Sequence, residues 1–350
     1  MRQQSQQLLS IVVPCFNEQA VIEETHSRMT RMATRLIDLE YEIIYVDDGS
    51  QDGTGDILER LQQSDPCVRV LRLSRNFGHQ IAVTAGLEHA AGDVVALIDA
   101  DLQDPPEVIP QMMTRWREGY DVVYGERVSR DGETRFKIAT ARVFYRVLKH
   151  LTNTRIPLDA GDFRVMDRRV VEALRSMPEC DRFVRGLVSW AGFRQIAVPY
   201  HRASRYAGQS KYPLSKMLRF AMDGIVGFSV APLRAVMALG AVASLLAILG
   251  AAYALALRAF TNDQIAGGTA LLLGLLFLGG VQLVSVGIVG EYVGRSYEQS
   301  KRRPLYFIRD RIGFEDTATP LRERRESQPR RESERATRLS MVGDRGRATP

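Results

Sequence analysis

Cysteine is scarce in this sequence. Its three cysteines, Cys15, Cys67 and Cys180, are an odd number and have no paired spacing. This pattern excludes a disulfide framework and a cysteine zinc site, and it is typical of a reducing compartment. The first seven residues are polar and lead into a short β-rich segment, so we expect no secretory leader.

Charge is missing from two long segments in the last third of the chain. No charged side chain occurs at 235–257 or at 264–290. At about 1.5 Å per residue, a helix of either length spans the hydrocarbon core of a bilayer, which is about 30 Å thick. We therefore predict a transmembrane hairpin at 233–290, with helices at about 233–258 and 267–290. Two buried helices of a large soluble protein are the alternative, which the lack of a polar stripe disfavours.

Basic residues flank both ends of the predicted hairpin. They are Arg205, Lys211, Lys216, Arg219, Arg234, Arg295, Lys301, Arg302 and Arg303. By the positive-inside rule, this distribution predicts a multi-pass protein of the cytoplasmic (inner) membrane, with its main domain and both termini in the cytoplasm. The net charge of +6 favours anionic headgroups or phosphate substrates over nucleic acid, because the cations lie beside the apolar segments.

The remaining chain is predicted to form four parts. Residues 1–212 are long enough for one globular domain with a single core. Residues 213–232 mix apolar and charged side chains, which indicates an amphipathic helix that lies in the membrane interface or docks on the globular domain. Residues 291–316 are expected to be a cytoplasmic, membrane-proximal segment. Residues 317–350 are rich in Arg, Glu, Ser and Pro, which is typical of a disordered tail.

Short β-branched segments alternate with helical stretches up to about Tyr124. We predict strands at 9–13, 41–46, 68–73, 94–98 and 121–124, and helices at 18–37, 54–62, 78–90 and 106–118. This alternation is typical of an α/β domain with a mainly parallel sheet. In such sheets, ligands bind beyond the carboxyl ends of the strands.

Acidic residues follow three of these strands. The segments after the first, second and fourth strands contain Pro14, Phe16 and Glu18, then Asp47 and Asp48, and then Asp99, Asp101 and Gln103. Carboxylates that meet at one edge of a sheet repel one another unless a cation or a cationic ligand relieves the repulsion. A solvated turn or a helix cap is the alternative interpretation of each short segment.

Asp99, Asp101 and Gln103 are two residues apart from one another. We expect this segment to be extended, so that the three side chains point the same way and share one site. Hard oxygen ligands suit Mg²⁺ or Mn²⁺, which could neutralise the charge on a departing diphosphate. The sequence therefore predicts a divalent metal site at this edge of the sheet.

Together these motifs resemble a known family. The segments Pro14 to Glu18, Asp47 to Ser50 and Asp99 to Glu107 resemble glycosyltransferase family 2. The closest resemblance is to the branch of dolichyl-phosphate mannose synthases and bacterial undecaprenyl-phosphate glucosyltransferases. Segments at 75–79, 161–164, 208–212 and 290–295 resemble the same branch, so the likeness covers about residues 8–310. It implies a GT-A fold followed by the two-helix hairpin.

The resemblance also implies a reaction. A metal-dependent, inverting enzyme would transfer a hexose from a nucleotide-sugar, with UDP-glucose favoured, to the phosphate of undecaprenyl phosphate for cell-envelope glycans. Related enzymes imply a homo-oligomer. Two alternatives stay open: a processive polysaccharide synthase, whose Gln-x-x-Arg-Trp motif and extra spans are not evident, and an inactive membrane scaffold, which the intact acids disfavour.

Residue roles follow from the same resemblance. Nucleotide-sugar contacts fall to Pro14, Phe16, Glu18, Asp47, Asp48, Asp99 and Gln103, and metal contacts to Asp99, Asp101 and Gln103. Lipid-phosphate contacts fall to Arg127 and Lys137, and catalytic roles to Asp101, Asp162, Arg127 and Lys137. The positive charges of Arg205 and Lys211 make them further candidates for the lipid phosphate, with solvated surface charges as the alternative. Lys137 stands where the dolichol branch typically has arginine. A buried ion pair of Asp162 with Arg164 or Arg168 is the structural alternative to a catalytic role. His79 is expected to cap a helix or to pack.

Overall fold

The computed structural model describes residues 7–36, 38–128, 160–180, 182–202, 230–260 and 268–314. Lys137, Arg205 and Lys211, most of the predicted helix at 213–232 and the predicted tail at 317–350 lie outside the described residues. The strands and helices below all belong to one compact unit, Met1–Ile312.

Eight strands form one sheet in the described part of the chain. They are β1 (Gln7–Cys15), β2 (Leu39–Asp47), β3 (Val68–Leu73), β4 (Val94–Leu97), β5 (Val122–Arg127), β6 (Ala160–Asp167), β7 (Gln195–Tyr200) and β8 (Ile308–Ile312). The helices are α1 (Ile22–Ala33), α2 (Thr54–Ser64), α3 (His79–His89), α4 (Ile109–Arg117), α5 (Arg168–Ser176), α6 (Val184–Trp190), α7 (Ala231–Phe260) and α8 (Gly268–Ser300). A short 3₁₀ helix, Pro106–Val108, leads into α4.

The strand order is β7-β5-β6-β4-β1-β2-β3-β8. β1 runs parallel to β2 and β4, β2 runs parallel to β3, and β5 runs parallel to β7. β6 is antiparallel to its neighbours β4 and β5, so its first residues lie beside the carboxyl ends of both strands. The predicted α/β fold with a mainly parallel sheet is confirmed, and β6 delivers its own amino end to the edge where the acids were expected.

The central strands are buried on both faces. Val12 and Val13 point to opposite faces of β1, and both are fully buried, as are Ile43 and Ile44 of β2. Parallel strands covered by helices on both sides require this continuous apolar run.

Helix α3 packs unusually close to the sheet. A Cβ atom added to Gly86 would lie 2.3 Å from a Val12 methyl carbon and 3.1 Å from a Val46 methyl carbon. The close approach therefore requires glycine at this position. It fixes the start of α3, at His79, beside the carboxyl ends of the central strands.

The two apolar helices are long and exposed. Both are long and apolar enough to cross a membrane, and they contact one another. Met237 in α7 and Leu283 in α8 expose 71% and 75% of their surface, which a water-soluble protein would bury. The second helix continues to Ser300, past its predicted end at 290.

After α8 the chain returns to the sheet. β8 pairs antiparallel with β3, with Val70 opposite Ile312 and Arg72 opposite Asp310. The Ser74 amide donates a hydrogen bond to the Phe307 carbonyl oxygen at 2.9 Å. The expected domain boundary at 212 therefore excludes one strand of the sheet, and the segment at 291–316, expected to be only membrane-proximal, contains that strand. Its three charged residues between two isoleucines are typical of an edge strand.

Candidate active site

The loops after β1, β2 and β4 meet at one end of the sheet, and we call residues 16–19, 48–53 and 98–104 the acidic edge. Several hydrogen bonds join the loops after β1 and β2. Asn17 N donates to Ser50 Oγ at 3.0 Å, Gln51 N donates to Asn17 Oδ1 at 2.8 Å, and Glu18 N donates to Thr54 Oγ1 at 2.8 Å. Asn17 has a φ of 56°, a left-handed conformation that asparagine tolerates better than most residues.

Three residues predicted to contact the nucleotide lie in or beside these loops. Pro14 sits in β1 opposite Val46, Glu18 is half-buried at the start of the turn into α1, and the Phe16 side chain is 41% exposed. An exposed aromatic ring beside a polar loop offers a flat apolar surface to a ligand. The arrangement therefore leaves Phe16 accessible at the acidic edge.

Asp47 and Asp48 are buried and hold backbone. Asp48 Oδ1 accepts a hydrogen bond from Phe77 N at 2.7 Å, and its Oδ2 accepts one from Gly78 N at 2.9 Å. Burial raises the pKa of Asp48 even though these two hydrogen bonds favour its charged form. Asp47 Oδ1 accepts from Ser50 N at 2.9 Å. Both carboxylates thus shape the loops around the site, while their contacts with a nucleotide remain a prediction.

The segment that contains Asp99, Asp101 and Gln103 is a tight turn. β4 ends at Leu97, Leu102 has a left-handed φ of 58°, and Gln103 N donates to Asp101 Oδ1 at 3.1 Å. The prediction of an extended segment was therefore wrong. A left-handed leucine is strained, and such strain is found where the surrounding structure holds a functional loop in place.

One carboxylate oxygen of Asp99 lacks a hydrogen-bond partner. Its Oδ1 atom is buried and has no hydrogen-bond partner in the described structure, and the nearest cation is His79 Nε2 at 3.7 Å. Burial raises the pKa of Asp99, His79 opposes the shift, and the neighbouring carboxylates of Asp162, Asp104 and Asp101 add to it, so that the pKa lies at about 6. A cation at this position would relieve that cost.

This donor set fits a hard divalent cation. Asp99 and Asp101 supply carboxylate oxygens, and Asp99 Oδ1 has no hydrogen-bond partner among the described residues. Gln103 Oε1 accepts a hydrogen bond from Arg202 Nη2, so Gln103 would exchange that partner to reach a metal. The described residues contain no group of three His, Cys, Asp or Glu side chains arranged as a metal site, so a bound ion would take further ligands from substrate and water.

Asp162 lies at the start of β6, next to the end of β4, and its carboxylate is fully engaged. Oδ1 accepts from Arg185 Nε at 2.8 Å, and Oδ2 lies 3.0 Å from His79 Nε2 and accepts from Gln80 Nε2 at 3.1 Å. Burial alone would raise its pKa, but the charge of Arg185 and the hydrogen bonds from His79 and Arg185 hold the pKa of Asp162 well below its usual range. The carboxylate of Asp162 is therefore charged near neutral pH and holds Arg185, His79 and Gln80 in place.

The expected ion-pair alternative for Asp162 was right in kind but wrong in partner. Arg164 donates instead to the main-chain oxygens of Asp162 and Gly161, at 3.2 and 3.1 Å, and Arg168 pairs with Glu172 at 2.8 Å. Arg185, from the short helix α6, takes the place of both.

Arg127 is the last residue of β5, and β6 separates this strand from β4, which leads into the turn with Asp99 and Asp101. Its Nε donates to Tyr200 Oη at 3.2 Å, and its Nη2 lies 3.7 Å from Asp104 Oδ1. The side chain is 25% exposed, so it keeps one face open to solvent. The other residues predicted to contact a lipid phosphate, Lys137, Arg205 and Lys211, lie outside the described residues.

Several residues of this site were missed in the sequence. They are His79, Gln80, Asp104, Arg185, Tyr200 and Arg202. His79 and Asp104 lie inside the motifs at 75–79 and 99–107, which could have marked them, although His79 was expected only to cap or to pack. Arg185 and Tyr200 belong to no motif. The pairing of β5 with β7 places Tyr200 opposite Arg127, and Arg185 comes from the helix α6.

Comparison with known proteins gives the family. The model of Glycosyl transferase family 2 matches residues 10–175. The uncharacterized glycosyltransferase YkcC of Bacillus subtilis (strain 168) is 47% identical over 307 residues, which cover 88% of this chain and 95% of that protein. The bactoprenol glucosyl transferase of Shigella phage SfV is 41% identical over 302 residues, covering 86% and 98%. The prophage bactoprenol glucosyl transferase homolog of Escherichia coli (strain K12) is 40% identical over 301 residues, again covering 86% and 98%. The likeness extends over nearly the whole of each relative, and this chain is therefore a glycosyltransferase that belongs to glycosyltransferase family 2.

Proposed function

We propose that this enzyme transfers glucose from UDP-glucose to the phosphate of a polyprenyl lipid, undecaprenyl phosphate. Relatives that share 40 to 41% of its residues are called bactoprenol glucosyl transferases, which supports glucose and a polyprenyl acceptor. The observation that carries the proposal is that two carboxylates and an arginine lie at the same end of the sheet. Asp99 and Asp101 suit a metal-bound diphosphate, and the partly exposed Arg127 suits the phosphate of the acceptor.

The reaction needs few proton transfers. An oxygen of the lipid phosphate attacks the anomeric carbon of glucose. The bond between that carbon and the oxygen of the β-phosphate breaks, and the nucleoside diphosphate leaves with the electron pair. The attacking phosphate is already ionised near neutral pH, because its pKa is about 6 or lower. Attack on the face opposite the diphosphate inverts the anomeric centre.

The contacts of Asp162 support this proposal. A general base must have a free oxygen and a pKa near the working pH. Both oxygens of Asp162 are hydrogen-bonded, and its pKa lies well below its usual range. Asp162 therefore serves to hold Arg185 and His79 beside the diphosphate, and an ionised acceptor makes a base unnecessary.

The nucleotide and the metal would occupy opposite parts of the acidic edge. Pro14, Phe16 and Glu18 would contact the uracil and the ribose, with the exposed Phe16 ring as a stacking surface. A divalent cation, Mg²⁺ or Mn²⁺, held by Asp99 and Asp101 with help from Gln103, would neutralise the charge that develops on the diphosphate.

The site would face a membrane. Helices α7 and α8 are the two candidate spans, and β8 follows them in the same sheet as β1 to β4. A pair of spanning helices whose two flanks join one sheet must begin and end on the same side of the bilayer. The flanking arginines and lysines favour the cytoplasmic side. A lipid phosphate at the bilayer surface is the acceptor that such an anchor would present, and a homo-oligomer remains a prediction.

The proposal is tested with the purified full-length chain in detergent micelles or nanodiscs. We expect label from UDP-[³H]glucose in an organic-extractable lipid when undecaprenyl phosphate and Mn²⁺ or Mg²⁺ are present. Label should fall to background with excess EDTA and return when the metal is restored. GDP-mannose, UDP-galactose and UDP-N-acetylglucosamine serve as matched donors that should give less product.

Three outcomes would count against it. No labelled lipid from any donor would refute the enzymatic proposal. A labelled polymer that stays out of the lipid extract would favour a processive synthase. Full activity in EDTA would remove the metal from the proposal but leave the transfer.

A further inference from the structure

Asp104 is a buried carboxylate that lies between the acidic edge and Arg127. Its side chain is 1% exposed, and it follows Gln103 in the same turn as Asp99 and Asp101. Tyr200 Oη donates a hydrogen bond to Asp104 Oδ1, while Arg127 Nη2 and Arg202 Nε lie 3.7 and 3.9 Å from that atom. A buried carboxylate is costly unless it is paired, and here the Tyr200 hydrogen bond and the positive charges of Arg127 and Arg202 offset that cost.

The hydroxyl of Tyr200 links the acid to the arginine. It has one proton, which it donates to Asp104, so its lone pair faces Arg127 Nε and accepts that hydrogen bond at 3.2 Å. Burial and the charge of Asp104 raise the pKa of Tyr200 far above its usual value, so this proton stays in place at neutral pH. The Tyr200 ring packs edge-to-face on the fully buried Phe163, with ring centres 5.6 Å apart, which keeps the hydroxyl from turning away.

Gly161 leaves room for the arginine. A Cβ atom at this position would lie 2.7 Å from Arg127 Nη2 and 3.7 Å from Asp104 Oδ2. The Arg127 guanidinium therefore packs directly against the Gly161 backbone, beside Asp104. The carboxylate, the hydroxyl and the glycine backbone together restrict the position of the Arg127 guanidinium.

We propose that Asp104 is a positioning residue that sets the orientation of the Arg127 guanidinium, directly and through Tyr200. Because Asp104 shares a turn with the predicted metal ligands, it fixes the distance between the acceptor phosphate and the diphosphate. The inference rests on the function proposed above, in which Arg127 binds the lipid phosphate. It gives Asp104 and Tyr200 roles in acceptor binding and alignment, although neither side chain contacts the acceptor.

Tyr200→Phe is the sharpest test, because it removes one oxygen and keeps the ring on Phe163. We expect the KM for undecaprenyl phosphate, measured as a mole fraction in mixed micelles, to rise about tenfold, which is the scale of a lost hydrogen bond to a charged group. The KM for UDP-glucose should stay within about twofold of the wild-type value. Tyr41→Phe is the matched control, because Tyr41 lies near the amino end of β2, at the opposite end of the sheet.

Two further variants change other neighbours of Arg127. Asp104→Asn keeps the shape of the side chain but removes its charge, and Gly161→Ala places a methyl group against Arg127. Both should raise the KM for the lipid and leave that for UDP-glucose nearly unchanged. In an Arg127→Ala background, Tyr200→Phe should cause no further rise, because its effect passes through the arginine.

The outcomes separate this inference from the proposed function. A wild-type chain without transferase activity refutes the function. An active wild type in which Tyr200→Phe leaves the lipid KM unchanged, or raises both KM values equally, refutes the positioning role and leaves the function standing. Melting temperatures of all variants are measured in the same micelles, since a merely structural role would lower stability without separating the two KM values.

Discussion

Asp101→Asn is expected to lower kcat/KM for glucose transfer by at least about 100-fold, the scale on which loss of one charge-stabilising group acts in other enzymes. Asp101 is one of two carboxylates that suit the metal, and the other, Asp99, already lacks a hydrogen-bond partner for its Oδ1. The amide removes a negative charge while it keeps the size of the side chain. Binding of Mn²⁺, followed by electron paramagnetic resonance without turnover, should weaken in parallel.

The control for this variant is Asp38→Asn. Asp38 is an exposed acid just before β2, at the opposite end of the sheet, so its loss should leave both transfer and Mn²⁺ binding unchanged. If Asp101→Asn keeps activity within about threefold and binds Mn²⁺ like the wild type, the assignment of the metal site to this turn is wrong.

Asp162→Ala is expected to lower the free energy of unfolding by about 3 to 5 kcal/mol, because its removal leaves the buried Arg164 guanidinium without the nearby negative charge of Asp162. Arg185 and His79 would then face each other without the carboxylate that both contact, and the Gln80 amide would lose its acceptor. Chemical unfolding in micelles of one composition measures the change. Glu172→Ala is the control, because Glu172 is half-exposed and its pairs with Arg168 and Arg175 should contribute at most about 1 kcal/mol.

A double-mutant cycle decides the cause. Asp162→Ala combined with Arg185→Ala should be less destabilising than the sum of the two single changes, since the double variant removes both charges of the pair. An Asp162→Ala variant as stable as the wild type but without activity would instead favour direct participation of Asp162 in the reaction.

The sequence predicted most of the first half of the fold. Each of β1 to β5 contains a short apolar segment that can be recognised without knowledge of distant contacts, and in β1, β2 and β4 this segment is buried on both faces. Helix α1 was predicted at 18–37 but spans only Ile22–Ala33, because the residues before it form the loop that carries Phe16 and Glu18. β6, β7 and β8 were not predicted, since each depends on partners far along the chain.

In the site, too, features with a local sequence signal could be predicted and contacts between distant residues could not. Asp99 and Asp101 could be found because they follow a buried strand, whereas the left-handed Leu102 that shapes their turn has no local signal. Arg164 and Arg168 were considered as partners of Asp162 because they are near it in sequence. The true partner, Arg185, comes from a separate helix, and the bond from Tyr200 to Asp104 joins residues 96 positions apart. Pairings of this kind depend on the sheet order, which spacing does not reveal.

The position of β8 means that the pair of candidate membrane helices, α7 and α8, is inserted within the sheet domain and does not simply follow it. A fragment cut just before α7 would lose Ile308–Ile312 and would leave the edge of β3 with unpaired backbone groups, which invite pairing with another chain and aggregation. It would also lose Tyr306, whose hydroxyl donates to Glu88 at the end of α3. A soluble version of this enzyme should therefore join the two flanks with a flexible linker in place of α7 and α8 and keep 304–312. Chimeras that exchange this helix pair with that of a relative need two junctions, one on each side of the pair.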